Sequence, residues 1–202
     1  MLLDTHAHYD DEAFDADRDT LLESLKEYGI RKVINAGASV ESSYTGLKLA
    51  ERYPWMYAAL GAHPNYVEEL NETVLKDFAA LAKHPKVVAI GEIGLEYHYE
   101  EPLRDVQKIW FRRQLDLAAE TGLPVIIHSR EAAQDTFDEM QCAAARGIGG
   151  VIHCFSSGAE LARRYTDLGF YIGIGGVVTF KNGKKMKEVA AAVPLSSILL
   201  ET

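Results

Sequence analysis

The sequence runs to 202 residues with 30 acidic and 21 basic side chains, a formal net charge of −9 that excludes nucleic-acid binding by bulk positive charge. A composition 48% hydrophobic and 25% charged, with 16 glycines and 6 prolines, is that of a packed globular chain and excludes collagen-like, low-complexity and disordered classes. Two cysteines, Cys142 and Cys154, are too few for a disulfide scaffold and read as buried thiols, and no apolar run approaches the roughly 20 residues of a membrane helix.

Short Val- and Ile-rich runs, each followed by a turn and a stretch of helical spacing, recur from one end to the other. In chain order the pattern predicts a strand at 2–5, a helix at 18–28, a strand at 32–36, a helix at 42–53, a strand at 56–61 and a helix at 72–83. It continues with a strand at 87–92, a helix at 103–121, a strand at 124–128, a helix at 132–146 and a strand at 150–154. A helix at 159–168, a strand at 170–175, a helix at 184–192 and a strand at 198–202 complete the series. Gly29, Gly122, Gly147 and Gly169 follow helical stretches where a left-handed cap is wanted. Strict βα alternation means a parallel sheet, and runs such as Val87-Val-Ala-Ile90 are apolar on both faces, as helix-covered parallel strands require. No linker interrupts the rhythm, so a single domain over residues 1–202 is expected, cytoplasmic and without a membrane partner.

Composition alone does not separate a closed barrel from an open doubly wound sheet, but the polar residues do. His6 and His8 form an H-x-H pair at the end of the first strand, and alternation along an extended chain aims both imidazoles the same way. Glu92 ends Val88-Ala-Ile-Gly-Glu92, His128 ends Pro124-Val-Ile-Ile-His128 and His153 ends Gly150-Val-Ile-His153. Each stands where an apolar strand meets its loop. A carboxylate there is costly unless paired, hydrogen-bonded or metal-bound. Groups scattered this widely meet only at the C-terminal mouth of a barrel, which favours a (β/α)8 TIM-type barrel with the last strand at the chain end and the final helix missing. Four imidazoles and one carboxylate suit Zn, Mn or a similar divalent ion, and two ions suit the inventory better than one. Metal-assisted hydrolysis is the matching reaction class, since an ion pair activates water and clamps the leaving oxygen of a phosphoester.

Other residues border this set. His63, in Gly61-Ala-His-Pro64, reads as a turn histidine or a contact to substrate phosphate. Ser129 and Arg130 offer a hydroxyl and a guanidinium to an anionic substrate, and Lys181 is a further candidate for phosphate. His84 and His98 read as loop residues, and Tyr97, His98 and Tyr99 as a lip on which a base could stack.

The motifs Asp4-Thr-His-Ala-His8, Gly61-Ala-His-Pro64, Ala89-Ile-Gly-Glu-Ile-Gly-Leu95, Pro124-Val-Ile-Ile-His-Ser-Arg130, Ile152-His-Cys-Phe-Ser156 and Val178-Thr-Phe-Lys181 stand in an order that resembles the TatD family of metal-dependent hydrolases. The resemblance covers nearly the whole chain. It implies a barrel holding two divalent metal ions (Mg, Mn or Zn) through His6, His8, Glu92, His128 and His153, with Glu92 bridging and Glu92 and His63 catalytic. It also implies DNA as partner and substrate, cleaved as a 3′ to 5′ exonuclease on single strands. Two departures stand out: Glu96 occupies a position where the family has aspartate, and the family's last aspartate ligand falls one position beyond Thr202. The second implies a shortened chain, expected to bind metal through His128, His153 and Glu92 and to cleave slowly. Two other readings are open: an amidohydrolase or lactonase acting on a small substrate, disfavoured because no strand-end lysine is present to carry a bridging carboxylate, and an inactive binding fragment.

Overall fold

Apolar strands buried on both faces pair in the order in which they are made. Residues 2–202 are described by a computed structural model, and among them eight parallel strands form one sheet in strictly sequential order, alternating with seven α-helices. The strands are β1 (Leu2–Ala7), β2 (Ile30–Ala36), β3 (Met56–Leu60), β4 (Val87–Glu96), β5 (Val125–Arg130), β6 (Gly150–Ile152), β7 (Tyr171–Ile174) and β8 (Ile198–Leu200). The helices are α1 (Arg18–Ser24), α2 (Val40–Arg52), α3 (Glu72–Leu81), α4 (Arg104–Thr121), α5 (Ala133–Ala145), α6 (Ala159–Asp167) and α7 (Lys184–Ala192). The sheet comes round until β8 meets β1. There the Thr5 hydroxyl donates to the Leu200 carbonyl at 3.0 Å and the Thr202 N–H to the His6 carbonyl at 3.4 Å. The fold is the (β/α)8 barrel, nearly closed, with seven covering helices among the described residues.

Strand alternation divides the apolar residues into two layers. Ile34, Ala59, Ala89, Ile126, Val151 and Leu199, one from each of six strands, touch one another inside the barrel. Ile90, Ile127 and Ile172, from the opposite face, pack with Phe78, Phe111 and Tyr165 of the helices. At the N-terminal end the interior opens as an apolar recess of about 390 Å³. Buried polar residues gather at the other end.

Several boundaries differ from those the pattern predicts. β4 runs on to Glu96 because Gly94, Leu95 and Glu96 continue the ladder against His128, Ser129 and Arg130 of β5. Glu92 therefore sits inside a strand rather than at its end. The strands approach so closely that a Cβ on Gly94, at φ +150°, would run into the His128 carbonyl, which makes this a position for glycine. β6 is shorter than expected, since Cys154 turns the backbone into the left-handed region at φ +42° directly after His153. The two thiols are exposed, not buried: Cys154 lies in that turn, and Cys142 falls on the outer side of α5. α1 stops at Ser24, four residues before the predicted end, and the chain reaches Gly29 through turns.

Candidate metal centre

Each polar group at the mouth is placed by the strand that carries it. His6 lies in β1 and His8 directly beyond it, and their Nε2 atoms stand 2.9 Å apart. Glu92 reaches between them and the other imidazoles, 4% exposed. Its Oε2 faces His6 Nε2 at 3.2 Å and His8 Nε2 at 3.5 Å. Its Oε1 faces His128 Nδ1 at 2.8 Å, His153 Nε2 at 3.5 Å and His63 Nε2 at 3.9 Å. One carboxylate thus divides five imidazoles into two groups. The rings pack as well as converge: His6 stacks on His153 with centroids 3.5 Å apart, and His63 meets His128 edge-on at 4.2 Å.

Backbone contacts hold the rings in place. His8 turns its Nδ1 to the Ala36 carbonyl at 3.0 Å, leaving Nε2 inward. His63 caps the turn Pro64–Glu69, its Nδ1 accepting the Asn65 N–H at 3.2 Å. It is a turn histidine and a member of the cluster at once. The preceding residue is clamped by Gln114 of α4, fully buried, whose amide accepts from the Ala62 N–H at 2.8 Å and donates to the Ala62 carbonyl at 3.1 Å.

Burial and the shared carboxylate set the protonation states. Burial pushes His6 below its ordinary value and His63 down to about 4, so both imidazoles are neutral at pH 7. Burial works against the charge on Glu92 too, but hydrogen bonds from His128, His6 and His8 outweigh it and hold the carboxyl well below its usual range. Burial likewise opposes charge on His8 and His128, yet their contacts with Glu92 raise both. Among the described residues every ion-pair partner of Glu92 is a histidine. Two triads could each hold a metal ion, His6 with His8 and Glu92, and His63 with Glu92 and His128. Ring nitrogens from two or more strands and an ionised carboxylate aimed at common points fit divalent cations of the Zn or Mn type.

Other expected contacts lie elsewhere. The Ser129 side chain points to the helix layer, where its hydroxyl donates to Thr136 of α5 at 2.9 Å, because it alternates with the inward His128. Arg130 stays at the rim, half exposed, its guanidinium 3.9 Å from Glu96 and 5.8 Å from the centre of the Tyr99 ring. Lys181 is exposed in the turn before α7. Tyr97 does not line a lip, since its hydroxyl donates to Asp135 at 2.7 Å; Tyr99 is the exposed ring. His98 pairs with Glu131 and His84 with Glu51, away from the cluster.

Two carboxylates escaped the reading of the sequence as site residues. Glu96 is 2% exposed and its Oε2 lies 3.2 Å from His128 Nε2. Glu201 is 7% exposed, accepts the Cys154 N–H, and sits 3.5 Å from His153 Nδ1. The signal for Glu201 was there in Ile198-Leu-Leu-Glu201, the same context of an acid ending an apolar run that singled out Glu92.

Comparison with known proteins gives concordant likenesses. The family model described as TatD related DNase matches residues 3–202. The metal-dependent hydrolase YabD of Bacillus subtilis is 40% identical over 202 residues, which cover 100% of this chain and 79% of that protein. The metal-dependent hydrolase YjjV of Escherichia coli is 38% identical over 205 residues, covering 99% of this chain and 78% of the relative. The crystal structure of YjjV, a TatD homologue, superposes with a TM-score of 0.92 at 35% identity, over 100% of this chain and 78% of that one. A TatD family hydrolase from Entamoeba histolytica shares the fold at a TM-score of 0.88 and 23% identity, over 100% of this chain and 73% of its own.

Proposed function

The chain belongs to the TatD-related DNase family and is a metal-dependent hydrolase, and from this premise we propose that it hydrolyses phosphodiester bonds of DNA, releasing nucleotides from the 3′ ends of single strands. The observation that carries the reading is the divided carboxylate: Glu92 offers one oxygen to His6 and His8 and the other to His128, His153 and His63. Two divalent ions would be held on its two sides, His6 and His8 serving one and His128 and His153 the other. Such ions, when bound, supply Lewis-acid charge to a phosphoryl group and acidify water.

The chain's own residues account for the rest. His63, kept neutral by burial with Nδ1 spent on the Asn65 N–H, presents Nε2 beside Glu92 and can exchange a proton at that atom or donate to a phosphate oxygen. Arg130 at the rim offers a guanidinium that suits bidentate phosphate contact. Lys181, exposed after β7, adds charge farther out. With a net charge of −9, attraction of the polyanion is local to the mouth, and the salt dependence of binding is modest.

The test is release of mononucleotides from a 5′-labelled single-stranded oligonucleotide with Mg, Mn or Zn, against a chelated control. Stepwise shortening from the 3′ end that stops with chelator supports the reading. No cleavage with any ion, together with turnover of cyclic amides or lactones, overturns it.

A further inference from the structure

The Oε1 atom of Glu92 is approached by different nitrogens of two histidines, Nδ1 of His128 at 2.8 Å and Nε2 of His153 at 3.5 Å. A neutral imidazole carries one proton, so the nitrogen left free to ligate is decided by what holds the proton on the other. Behind His128 the Nε2 atom meets Glu96 Oε2 at 3.2 Å. Behind His153 the buried Nδ1 makes no hydrogen bond in the metal-free chain, and Glu201 Oε1 is the carboxylate oxygen that faces it, 3.5 Å away. Both carboxylates are almost fully buried, a placement that is costly without a partner.

Each is itself fixed by backbone contacts. Glu96 Oε1 accepts the His98 N–H at 2.8 Å. The backbone of Glu96 is gripped on both sides by the buried Gln107 of α4, which accepts from the Glu96 N–H at 2.9 Å and donates to its carbonyl at 2.8 Å. Glu201 Oε1 accepts the N–H of Cys154, the residue after His153, while Oε2 has no hydrogen-bond partner. Its carboxylate fills the space beside Gly173 of β7, where a Cβ would collide with it.

We propose that Glu96 and Glu201 are positioning residues of opposite sense: Glu96 retains the proton on His128 Nε2 so that Nδ1, a donor to Glu92 in the metal-free chain, is the nitrogen that gives up its proton to ligate, and Glu201 draws the proton of His153 to Nδ1 so that Nε2 is left to do so. The assignment rests on the reading of His128 and His153 as metal ligands. It explains why Glu96 and Glu201 are buried beside the acid that the histidines surround. Arg130, at 3.9 Å from Glu96, lies too far and too exposed to be the reason for that burial.

The experiment uses the full chain labelled with ¹⁵N-histidine and titrated with Zn, the metal alone, while chelator competition gives its affinity and long-range ¹⁵N–¹H correlation shows which ring nitrogen keeps its proton. In the loaded wild-type chain His128 should carry the proton on Nε2 and His153 on Nδ1. Glu96→Gln should perturb only the His128 pattern, Glu201→Gln only that of His153, and each should weaken Zn binding about 10- to 100-fold. Glu139→Gln, at an exterior pair with Arg112 of α4, should change neither. Where a glutamine variant fails to fold, Glu96→Asp or Glu201→Asp, which keep the charge and withdraw it by one methylene, should shift the same ring signals. Folded variants with wild-type ring signals and affinity overturn the positioning role while the metal reading survives; a wild-type chain that binds no Zn overturns both.

Discussion

Replacing Glu92 with glutamine removes one charge and keeps the shape of the group that five imidazoles face. In the metal-free chain the main loss is the 2.8 Å contact with His128 Nδ1, with the contacts at 3.2 and 3.5 Å to His6 and His8 adding less. A charge-assisted hydrogen bond of this kind contributes about 1.5–3 kcal/mol, so Glu92→Gln should lower stability by about 2 kcal/mol. Metal enlarges the difference. An ion at a thousandfold excess over its dissociation constant stabilises the folded state by about 4 kcal/mol, and a variant without the shared carboxylate should gain almost none of it. The separation between wild type and Glu92→Gln should therefore grow from about 2 to about 6 kcal/mol on adding metal. Urea denaturation with chelator and with Mn, read at constant slope, measures both numbers. Glu139→Gln should keep the full metal-dependent shift in midpoint. An equal shift in Glu92→Gln and wild type would refute the view that this carboxylate is shared between cation sites.

Gly94→Ala should destabilise by about 3 kcal/mol or more, because its Cβ meets the His128 carbonyl, whereas Gly147→Ala, at φ +79° with open space around it, should cost only about 1–2 kcal/mol; equal losses in denaturation would rule out the close β4–β5 approach. Gln114→Leu leaves the Ala62 N–H and carbonyl without partners and should cost about 2–4 kcal/mol, with a fall in the kcat of metal-dependent hydrolysis as His63 loses its anchor; a variant as stable as wild type would contradict the clamp. The folded chain holds His63 at about 4 against an ordinary 6.5, so the unfolded chain binds the proton more readily. In the metal-free chain, stability present above about pH 6.5 should be lost as pH falls toward 4, by up to about 3 kcal/mol from this residue. His63→Gln should flatten that slope in acid titrations followed by circular dichroism, and an unchanged slope would assign the loss to other groups.

Legibility of the site varied with the kind of constraint each residue meets. His6 and His8 were readable as an H-x-H pair whose alternation aims both rings the same way; His128 and His153 were readable because apolar runs end on them, and a polar group at such a point has few places to go. Glu92 was found by the same rule, although the structure puts it four residues inside β4. The rule failed for Ser129, where one step of strand alternation turns the side chain to Thr136 and the helices. It missed the partnership of Glu96 with His128, residues 32 positions apart in the chain whose side chains meet only because β4 runs beside β5.

What the sequence determined by itself was the βα order, and with it a parallel sheet whose strand ends share one rim, because hydrophobic periodicity and glycine caps are local properties of the chain. The tertiary structure alone decided which nitrogen of each ring faces Glu92, which acids stand behind His128 and His153, and that His63 joins the cluster while Lys181 remains outside. Those facts depend on distances of about 3 Å across neighbouring strands, where the reach of a hydrogen bond selects one arrangement among many that the same residue pattern allows.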